Sequence, residues 1–303
     1  MEPQKDRYGV VGHPVGHSWS PFIHGLFARD TGQTMSYRLY DFRPRELEPR
    51  VRDFFTLGGR GLNVTLPHKG AAVRIASELT PRATHAQAVN TLAVQKDGSL
   101  LGDNTDGVGL VRDLCDNLGL VVTRRRILII GSGGATRGVL APLLALEPSE
   151  IVIANRTPER AQALAEGFSK LGPVRGTGLQ EISGGPYDLI INATSAGLGG
   201  AIPAVDPGIL GPETICYDMS YGKTDTPFTK WALNLGCARA FQGWGMLVEQ
   251  AAESFRVWRG IRPGTTSVLT ALKERALAPR PPGPAEKLAR ESAPSKSRTP
   301  SAS

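Results

Sequence analysis

The sequence predicts an α/β protein of two domains, an N-terminal α/β/α domain with a mostly parallel sheet and a C-terminal α/β domain. Apolar runs of strand length alternate with stretches of helical periodicity along most of the chain, and this alternation is typical of parallel sheets covered by helices. The chain has 303 residues, of which 40% are apolar, so it is long enough to bury two cores.

The first third of the chain supplies the elements of the N-terminal domain. Ser20 followed by Pro21 predicts a helix N-cap and a first-turn proline, and Gly58 to Gly61 predicts a break after the second helix. The predicted strands cover residues 8–12, 34–41, 62–67 and 88–94, with Lys69 just beyond the third, and the predicted helices begin at residues 20, 45, 70 and 108, the third spanning 70–79.

A βαβ unit of the dinucleotide-binding type follows at Ile127 to Arg160. Its first apolar run ends at Gly131-Ser132-Gly133-Gly134, and a helical stretch and a second apolar run come next. Glycine lets the backbone approach a pyrophosphate closely, and the helix N-terminus offers free N–H groups to it. Thr136 stands where the usual pattern has its third glycine.

The end of the second strand in this unit predicts NADP(H) as the cofactor. An NAD site usually has an Asp or Glu there to accept from the ribose 2′-hydroxyl. This chain has Asn155-Arg156-Thr157, with Arg160 one turn further on, and guanidinium groups bind phosphate well. The alternative is that both arginines are solvated surface charges, and their position in the unit favours the phosphate.

The remaining elements complete a Rossmann-type sheet and add two helices. Strands that end in polar residues are expected to open onto a crevice at their carboxyl ends. The predicted strands cover residues 188–194, 214–219 and 240–243, and the predicted helices cover residues 159–171, 228–235, 246–259 and 265–278. Residues 279–303 hold six prolines among mostly Ser, Ala, Lys and Arg, and we predict a disordered tail.

Composition and charge argue against a membrane protein, an exported protein and a nucleic-acid-binding protein. No apolar run reaches the length of a membrane span, and the N-terminus has no signal-peptide core. The net charge of +7 is partly due to the basic tail, and no basic-aromatic pattern points to nucleic acid. Three cysteines without paired spacing favour a reducing cytoplasm without disulfides or a metal site. An acidic small molecule is therefore the expected partner.

Nine motifs resemble the shikimate dehydrogenase family in order and spacing, over roughly residues 8–277, and at least six lie outside the generic nucleotide fingerprint. They are HSWSP, NVTLPHK, AVNT, GDNTDG, GSGGATR, NRTPER, INATS, YDMSY and GMLVEQA. The resemblance implies reversible NADPH-dependent reduction of 3-dehydroshikimate to shikimate. It also implies a substrate domain at 1–106 completed by helices 246–278, a Rossmann NADP-binding domain at 107–245, and an active site between them.

Ketone reduction builds negative charge on oxygen, so it needs a cation and a proton source. The resemblance implies that Lys69 and Asp106 form this acid/base pair. Each residue alone is compatible with an ordinary role, a solvated lysine after a strand or an aspartate that closes a loop. Their joint occurrence in two family motifs favours catalysis.

The resemblance also implies the binding residues. Ser18, Ser20 and Tyr221 would bind the substrate carboxylate, and Thr65, Asn90 and Gln250 would bind its ring oxygens. Gly131, Gly133, Gly134 and Ala135 would hold the pyrophosphate, Asn155, Arg156, Thr157 and Arg160 the 2′-phosphate half, and Thr194, Met219 and Gly243 the nicotinamide half. Trp19, Gln242 and Trp244 depart from the residues common in the family.

Three alternatives remain open from the residues. One is a quinate/shikimate dehydrogenase with relaxed substrate or cofactor choice. Another is a non-catalytic NADP-binding sensor on the same fold, and a third is a different two-domain Rossmann enzyme such as a glutamyl-tRNA reductase. The motifs HSWSP and GDNTDG argue against the third. Family members occur as monomers and dimers, so a monomer or a homodimer is expected.

Overall fold

The computed structural model describes residues 5–194 and 204–278, which form two six-stranded sheets flanked by helices. The predicted disordered tail, residues 279–303, lies outside the described residues. Within the described part of the chain, no helix is both long enough and apolar enough to cross a membrane.

The first sheet has the strand order β2-β1-β3-β5-β6-β4. Strand β1 is parallel to β2 and β3, and β4 is parallel to β6, whereas β5 runs antiparallel to both of its neighbours. The sheet is therefore mostly parallel, as the sequence predicts. Its strands are β1 (Asp6–Gly12), β2 (Met35–Asp41), β3 (Gly59–Val64), β4 (Glu78–Leu79), β5 (Thr91–Val94) and β6 (Leu100–Asp103).

Helices cover both faces of the first sheet and so form the α/β/α arrangement. The apolar side of α2 packs on one face in a core that includes Val51, Leu62 and Leu92. Helices α1, α8 and α9 share a second core, and Trp258 of α8 donates its ring N–H to the carbonyl of Leu92 at 3.0 Å. The helices are α1 (Ser20–Asp30), α2 (Leu47–Thr56), α3 (Pro81–Ala86), α8 (Trp244–Arg259) and α9 (Thr266–Leu277).

The second sheet is parallel throughout, with the order β12-β11-β10-β7-β8-β9. This is the Rossmann order, and its switch point lies between β7 and β10. Residues 127–130 of β7 are fully buried because helices cover both faces. The elements are β7 (Arg126–Ile130), β8 (Glu150–Asn155), β9 (Val174–Gly178), β10 (Leu189–Asn192), β11 (Ile215–Asp218), β12 (Arg239–Gln242), α5 (Gly134–Leu144), α6 (Pro158–Phe168) and α7 (Pro227–Asn234).

Two helices connect the sheets. Helix α4 (Asp106–Arg112), followed by a π turn at Asp113–Asn117, leads from the first sheet to the second, and α8 leads back. The two helices cross closely, because a Cβ atom on Gly109 would lie 2.7 Å from the Cβ of Gln250. The crossing therefore holds the two connections between the sheets in close contact.

Three local predictions are wrong. Residues 70–79, predicted as a helix, form a 3₁₀ turn at Ala71–Arg74 and then β4, because the edge of β6 offers backbone partners to Ser77 and Thr80. The strand predicted to stop at Pro67 ends earlier, at Val64. Strand β9 was not predicted at all.

The predicted break of the second helix at Gly58 to Gly61 is confirmed, because α2 ends at Thr56 and Gly58 has φ +90°, and Gly59 and Gly61 already lie inside β3. Aromatic rings cross the strand at both glycines. A Cβ on Gly59 would clash with the ring of Phe54, and one on Gly61 would clash with the ring of Trp258. The glycines thus admit close packing of helices on both faces.

Candidate active site

A cleft of about 1260 Å³ lies between the two sheets. It is lined by residues at the carboxyl ends of β1, β3, β7, β8, β10 and β11 and by residues of α8. Every residue that the sequence predicts for catalysis, substrate binding or cofactor binding lines this one cleft. The structure therefore brings the predicted site together, and the chemical role of each residue remains a prediction.

Lys69 and Asp106 form an ion pair that lines the cleft. The Lys69 Nζ donates to Asp106 Oδ2 at 2.5 Å, and the two side chains are 22% and 7% exposed. Lys69 lies in the turn after β3, and Asp106 is the first residue of α4. An ammonium group has three N–H donors, so the pairing leaves two that can serve a substrate oxygen.

Asn90 fixes the second oxygen of the same carboxylate. Its Nδ2 donates to Asp106 Oδ1 and to Thr105 Oγ1, both at 2.8 Å, and its Oδ1 accepts from the backbone N–H of Thr105 at 2.9 Å. The N–H of Asp106 donates to Asn104 Oδ1 at 3.1 Å. Both oxygens and the backbone of Asp106 are thus held before any ligand binds, which is the preorganisation that catalysis requires.

The N-terminus of α1 supplies two hydroxyls at one end of the cleft. The prediction that Ser20 is the N-cap is wrong, because Trp19 occupies that position and Ser20 begins the helix. Ser18 instead accepts from the backbone N–H of Ser20 at 3.2 Å and donates to the Ser20 hydroxyl at 3.1 Å. The hydroxyls are therefore adjacent, at a helix end that favours an anion.

Tyr221 lines the cleft from the side of the second sheet. Burial raises the pKa of its phenol above the usual value of 10.0, so the hydroxyl is a proton donor at neutral pH. Its ring packs against Trp244 with 4.5 Å between the ring centroids.

Gln250 lines the cleft from α8, and its Nε2 donates to the carbonyl of Leu247 in its own helix at 2.8 Å. Its Oε1 lies 3.4 Å from Asn90 Nδ2, a long hydrogen bond. This side chain is therefore held by one short hydrogen bond to its own helix and one long one to Asn90.

The glycine turn after β7 lines the other end. Gly131 has φ +106°, a backbone conformation that favours glycine, and α5 begins at Gly134. Thr136, which replaces the usual third glycine, is fully buried and donates its hydroxyl to the carbonyl of Gly131 at 2.7 Å. The threonine thus closes the turn, and the N–H groups that begin α5 lie at the cleft.

The carboxyl end of β8 places three polar residues beside that turn. Asn155 Nδ2 donates to the carbonyl of Thr157 at 3.0 Å and so orders the segment between them. Arg156 and the nearby Arg160 are exposed and line the cleft. Two cations beside free helix N–H groups form a site that suits phosphate.

Sequence reasoning missed several residues that line the cleft. Asn63 is buried, accepts from the Tyr37 hydroxyl at 2.7 Å and donates to Ser254 Oγ at 2.9 Å. A polar residue within an apolar strand was the available signal. Gln180 follows β9, and it could not be found because that strand was not predicted. Among the described residues, no three His, Cys, Asp or Glu side chains are grouped to hold a metal ion.

Comparison with known proteins gives consistent matches along the chain. Residues 10–92 match the family model "Shikimate dehydrogenase substrate binding domain", residues 115–198 match "Shikimate / quinate 5-dehydrogenase", and residues 243–273 match "Shikimate 5'-dehydrogenase C-terminal domain". A shikimate dehydrogenase (NADP(+)) of Methylococcus capsulatus is 52% identical over 89% of this chain and 97% of its own length.

Solved structures show the same likeness. An Ael1 enzyme from Pseudomonas putida is 42% identical, with a TM-score of 0.84 over 88% of this chain and 98% of that one. A shikimate 5-dehydrogenase from Thermus thermophilus in complex with NADP(H) and shikimate is 32% identical, with a TM-score of 0.79 over 90% of this chain and 100% of that one.

Proposed function

Because this chain belongs to the shikimate dehydrogenase family, we propose that it catalyses the reversible NADPH-dependent reduction of 3-dehydroshikimate to shikimate. The observation that carries this proposal is the Lys69–Asp106 ion pair in a cleft that also holds adjacent serines and a glycine turn. The cleft thus combines a proton donor, an anion site and a nucleotide site.

The packing supports a division into two domains. Residues 1–106 together with helices 246–278 would bind the substrate, because α8 and α9 pack with α1 against the first sheet. Residues 107–245 would bind NADP(H), because they contain the parallel sheet and its glycine turn. Any change in the width of the cleft would then involve a movement of α4 and α8, the two helices that connect the sheets.

The residues at the second sheet fit NADP(H). Gly131, Gly133, Gly134 and Ala135 would hold the pyrophosphate, and Asn155, Arg156, Thr157 and Arg160 would hold the 2′-phosphate half. Thr194, Met219 and Gly243 would line the nicotinamide half. When bound, this cofactor supplies the hydride.

Residues around the first sheet, together with Tyr221 from the second, would orient the substrate. Ser18, Ser20 and Tyr221 would bind the carboxylate, and Thr65, Asn90 and Gln250 would bind ring oxygens. In the direction of reduction, Lys69 would donate a proton to the carbonyl oxygen as that oxygen becomes an alcohol. Asp106 would hold the ammonium in line and accept a hydrogen bond from a substrate hydroxyl.

The product of the proposed reaction indicates the pathway in which the enzyme would act. Shikimate formation would place the enzyme in aromatic amino acid (chorismate) biosynthesis, and the cytoplasm is the proposed compartment. The thiols of Cys115, Cys216 and Cys237 are free, which fits a reducing environment. A monomer or a homodimer is the proposed assembly.

A spectrophotometric assay tests the proposal. Purified protein with shikimate and NADP⁺ should produce the absorbance of NADPH, and kcat/KM should be at least about tenfold lower with quinate or with NAD⁺. A preference for quinate or NAD⁺ would indicate a relaxed relative instead. Nucleotide binding without shikimate-dependent turnover would indicate a sensor.

A further inference from the structure

Gln242, the last residue of β12, bridges the loop that follows the neighbouring strand β11. Its Oε1 accepts from the backbone N–H of Gly222 at 2.7 Å, and its Nε2 donates to the carbonyl of Thr224 at 3.1 Å. The N–H of Gly243 donates to the carbonyl of Ser220 at 3.0 Å. Three hydrogen bonds from two adjacent residues therefore hold the loop on both sides of Tyr221.

Trp244 holds the ring of the same tyrosine. It is 6% exposed and belongs to the apolar cluster that contains Ile23 and Phe27 of α1, and its ring packs against Tyr221. Helix α1 begins with Ser20. Trp244 thus contacts both Tyr221, which follows a strand of the second sheet, and the helix that begins with Ser20. It therefore sets the position of the tyrosine relative to the serines.

The Tyr221 hydroxyl is available to a ligand. Tyr221 lines the cleft, and no group among residues 5–194 and 204–278 is hydrogen-bonded to its hydroxyl. A phenol hydroxyl can donate to a carboxylate, and a donor that is already held in place binds without the entropic cost of ordering its loop. By holding the loop that carries Tyr221, Gln242 and Gly243 would therefore strengthen the binding of a carboxylate in the cleft.

We propose that Gln242 is a positioning residue for substrate recognition, which aims the Tyr221 hydroxyl at the carboxylate bound by Ser18 and Ser20. This inference rests on the proposed function. Gln242 makes its two hydrogen bonds to loop backbone, so it acts through the tyrosine. Its loss should weaken substrate binding and leave the proton transfer at Lys69 unaffected.

Gln242→Met removes both hydrogen-bonding groups and keeps the length of the side chain. We expect KM for shikimate to rise about tenfold, with kcat and KM for NADP⁺ close to those of the wild type. Gln242→Glu keeps the acceptor for Gly222 and should recover part of the loss. Gln162→Met, an exposed position on α6, is the matched control and should change nothing.

A double-mutant cycle with Tyr221→Phe separates positioning from general loosening of the fold. If Gln242 acts through the tyrosine hydroxyl, Gln242→Met should raise KM no further in the Tyr221→Phe background. Three results would each overturn the inference while wild-type turnover upholds the proposed function. They are fully additive effects of the two substitutions on KM for shikimate, a rise in KM for NADP⁺ equal to that for shikimate, and an unchanged KM for shikimate in Gln242→Met. Absence of wild-type turnover would overturn both.

Discussion

The ammonium of Lys69 lies 2.5 Å from the carboxylate of Asp106, across 37 positions of sequence. The lysine follows a strand of the first sheet, and the aspartate opens the helix that leads to the second. The pair therefore joins an element of the first sheet to the start of the connection between the sheets, and both residues line the cleft. Asn90, which holds the other oxygen of Asp106 at 2.8 Å, fixes the carboxylate towards the lysine.

Lys69→Ala should lower kcat by about a hundredfold or more, because general acid catalysis contributes that much. Shikimate binding should change much less, since the serines and the tyrosine remain. Steady-state kinetics together with calorimetric titration of shikimate measure both. Lys170→Ala, at an exposed position outside the cleft, is the control, and retained turnover in Lys69→Ala would disprove the role of Lys69.

Arg156→Ala should raise KM for NADP⁺ about tenfold or more, because a hydrogen bond to a charged group is lost. Any activity with NAD⁺, which has no 2′-phosphate, should be spared. The measurement is kcat/KM of the variant with NADP⁺ and with NAD⁺. Arg45→Ala, which removes an exposed arginine elsewhere in the chain, is the control. An equal loss with both cofactors would mean that Arg156 does not contact the phosphate.

Gly109→Ala should destabilise the protein by roughly 1–3 kcal/mol, because the added methyl group overpacks the helix crossing. Its Cβ would lie 2.7 Å from the Cβ of Gln250 and 2.8 Å from that residue's backbone nitrogen. The added methyl group would push α4 and α8 apart. Because α4 carries Asp106 and α8 carries Gln250, kcat/KM should fall as well. Urea unfolding and steady-state kinetics measure the two effects.

Gly167→Ala on α6 is the matched control for that substitution, because no neighbouring atom lies within 4 Å of the place that its Cβ would occupy. A glycine-to-alanine change in a helix stabilises by up to about 1 kcal/mol when space is free. If both alanine variants behaved alike, the close crossing of α4 and α8 would not limit stability.

Glu253→Gln should destabilise the protein at neutral pH and much less in acid. Burial alone would raise the pKa of this carboxyl, but hydrogen bonds and charges from Arg256 and Arg82 outweigh burial and lower it from 4.5 to about 2. The folded pKa lies below the unfolded one, so the stabilisation is complete above about pH 5 and is lost as the pH falls through 2. It amounts to something on the order of 3 kcal/mol.

The measurement is the difference in unfolding free energy between wild type and Glu253→Gln from pH 7 down to pH 3. That difference should shrink with acid, whereas Glu274→Gln, at an exposed position on α9, should show a small difference throughout. A difference independent of pH would mean that the charge of Glu253 is not what stabilises the fold.

The sequence by itself determined the βαβ unit, its NADP-type strand end and most of the helices. Each of these depends on short-range features, such as the run of buried residues at 127–130 and the glycine turn that follows, and neighbouring residues suffice to specify them. The motifs also identified Lys69 and Asp106 as the candidate pair. That identification came from the resemblance of the two motifs to the family, since each residue alone is compatible with an ordinary role.

Only the tertiary structure decided the features whose partners are distant in sequence. The edge of β6 made residues 78–79 a strand rather than a helix end, and the ring of Trp258 explains the glycine at position 61 inside β3. Gln242 proved to hold the loop of Tyr221. Packing and hydrogen bonds between remote segments override local preference, so no local pattern could have revealed them.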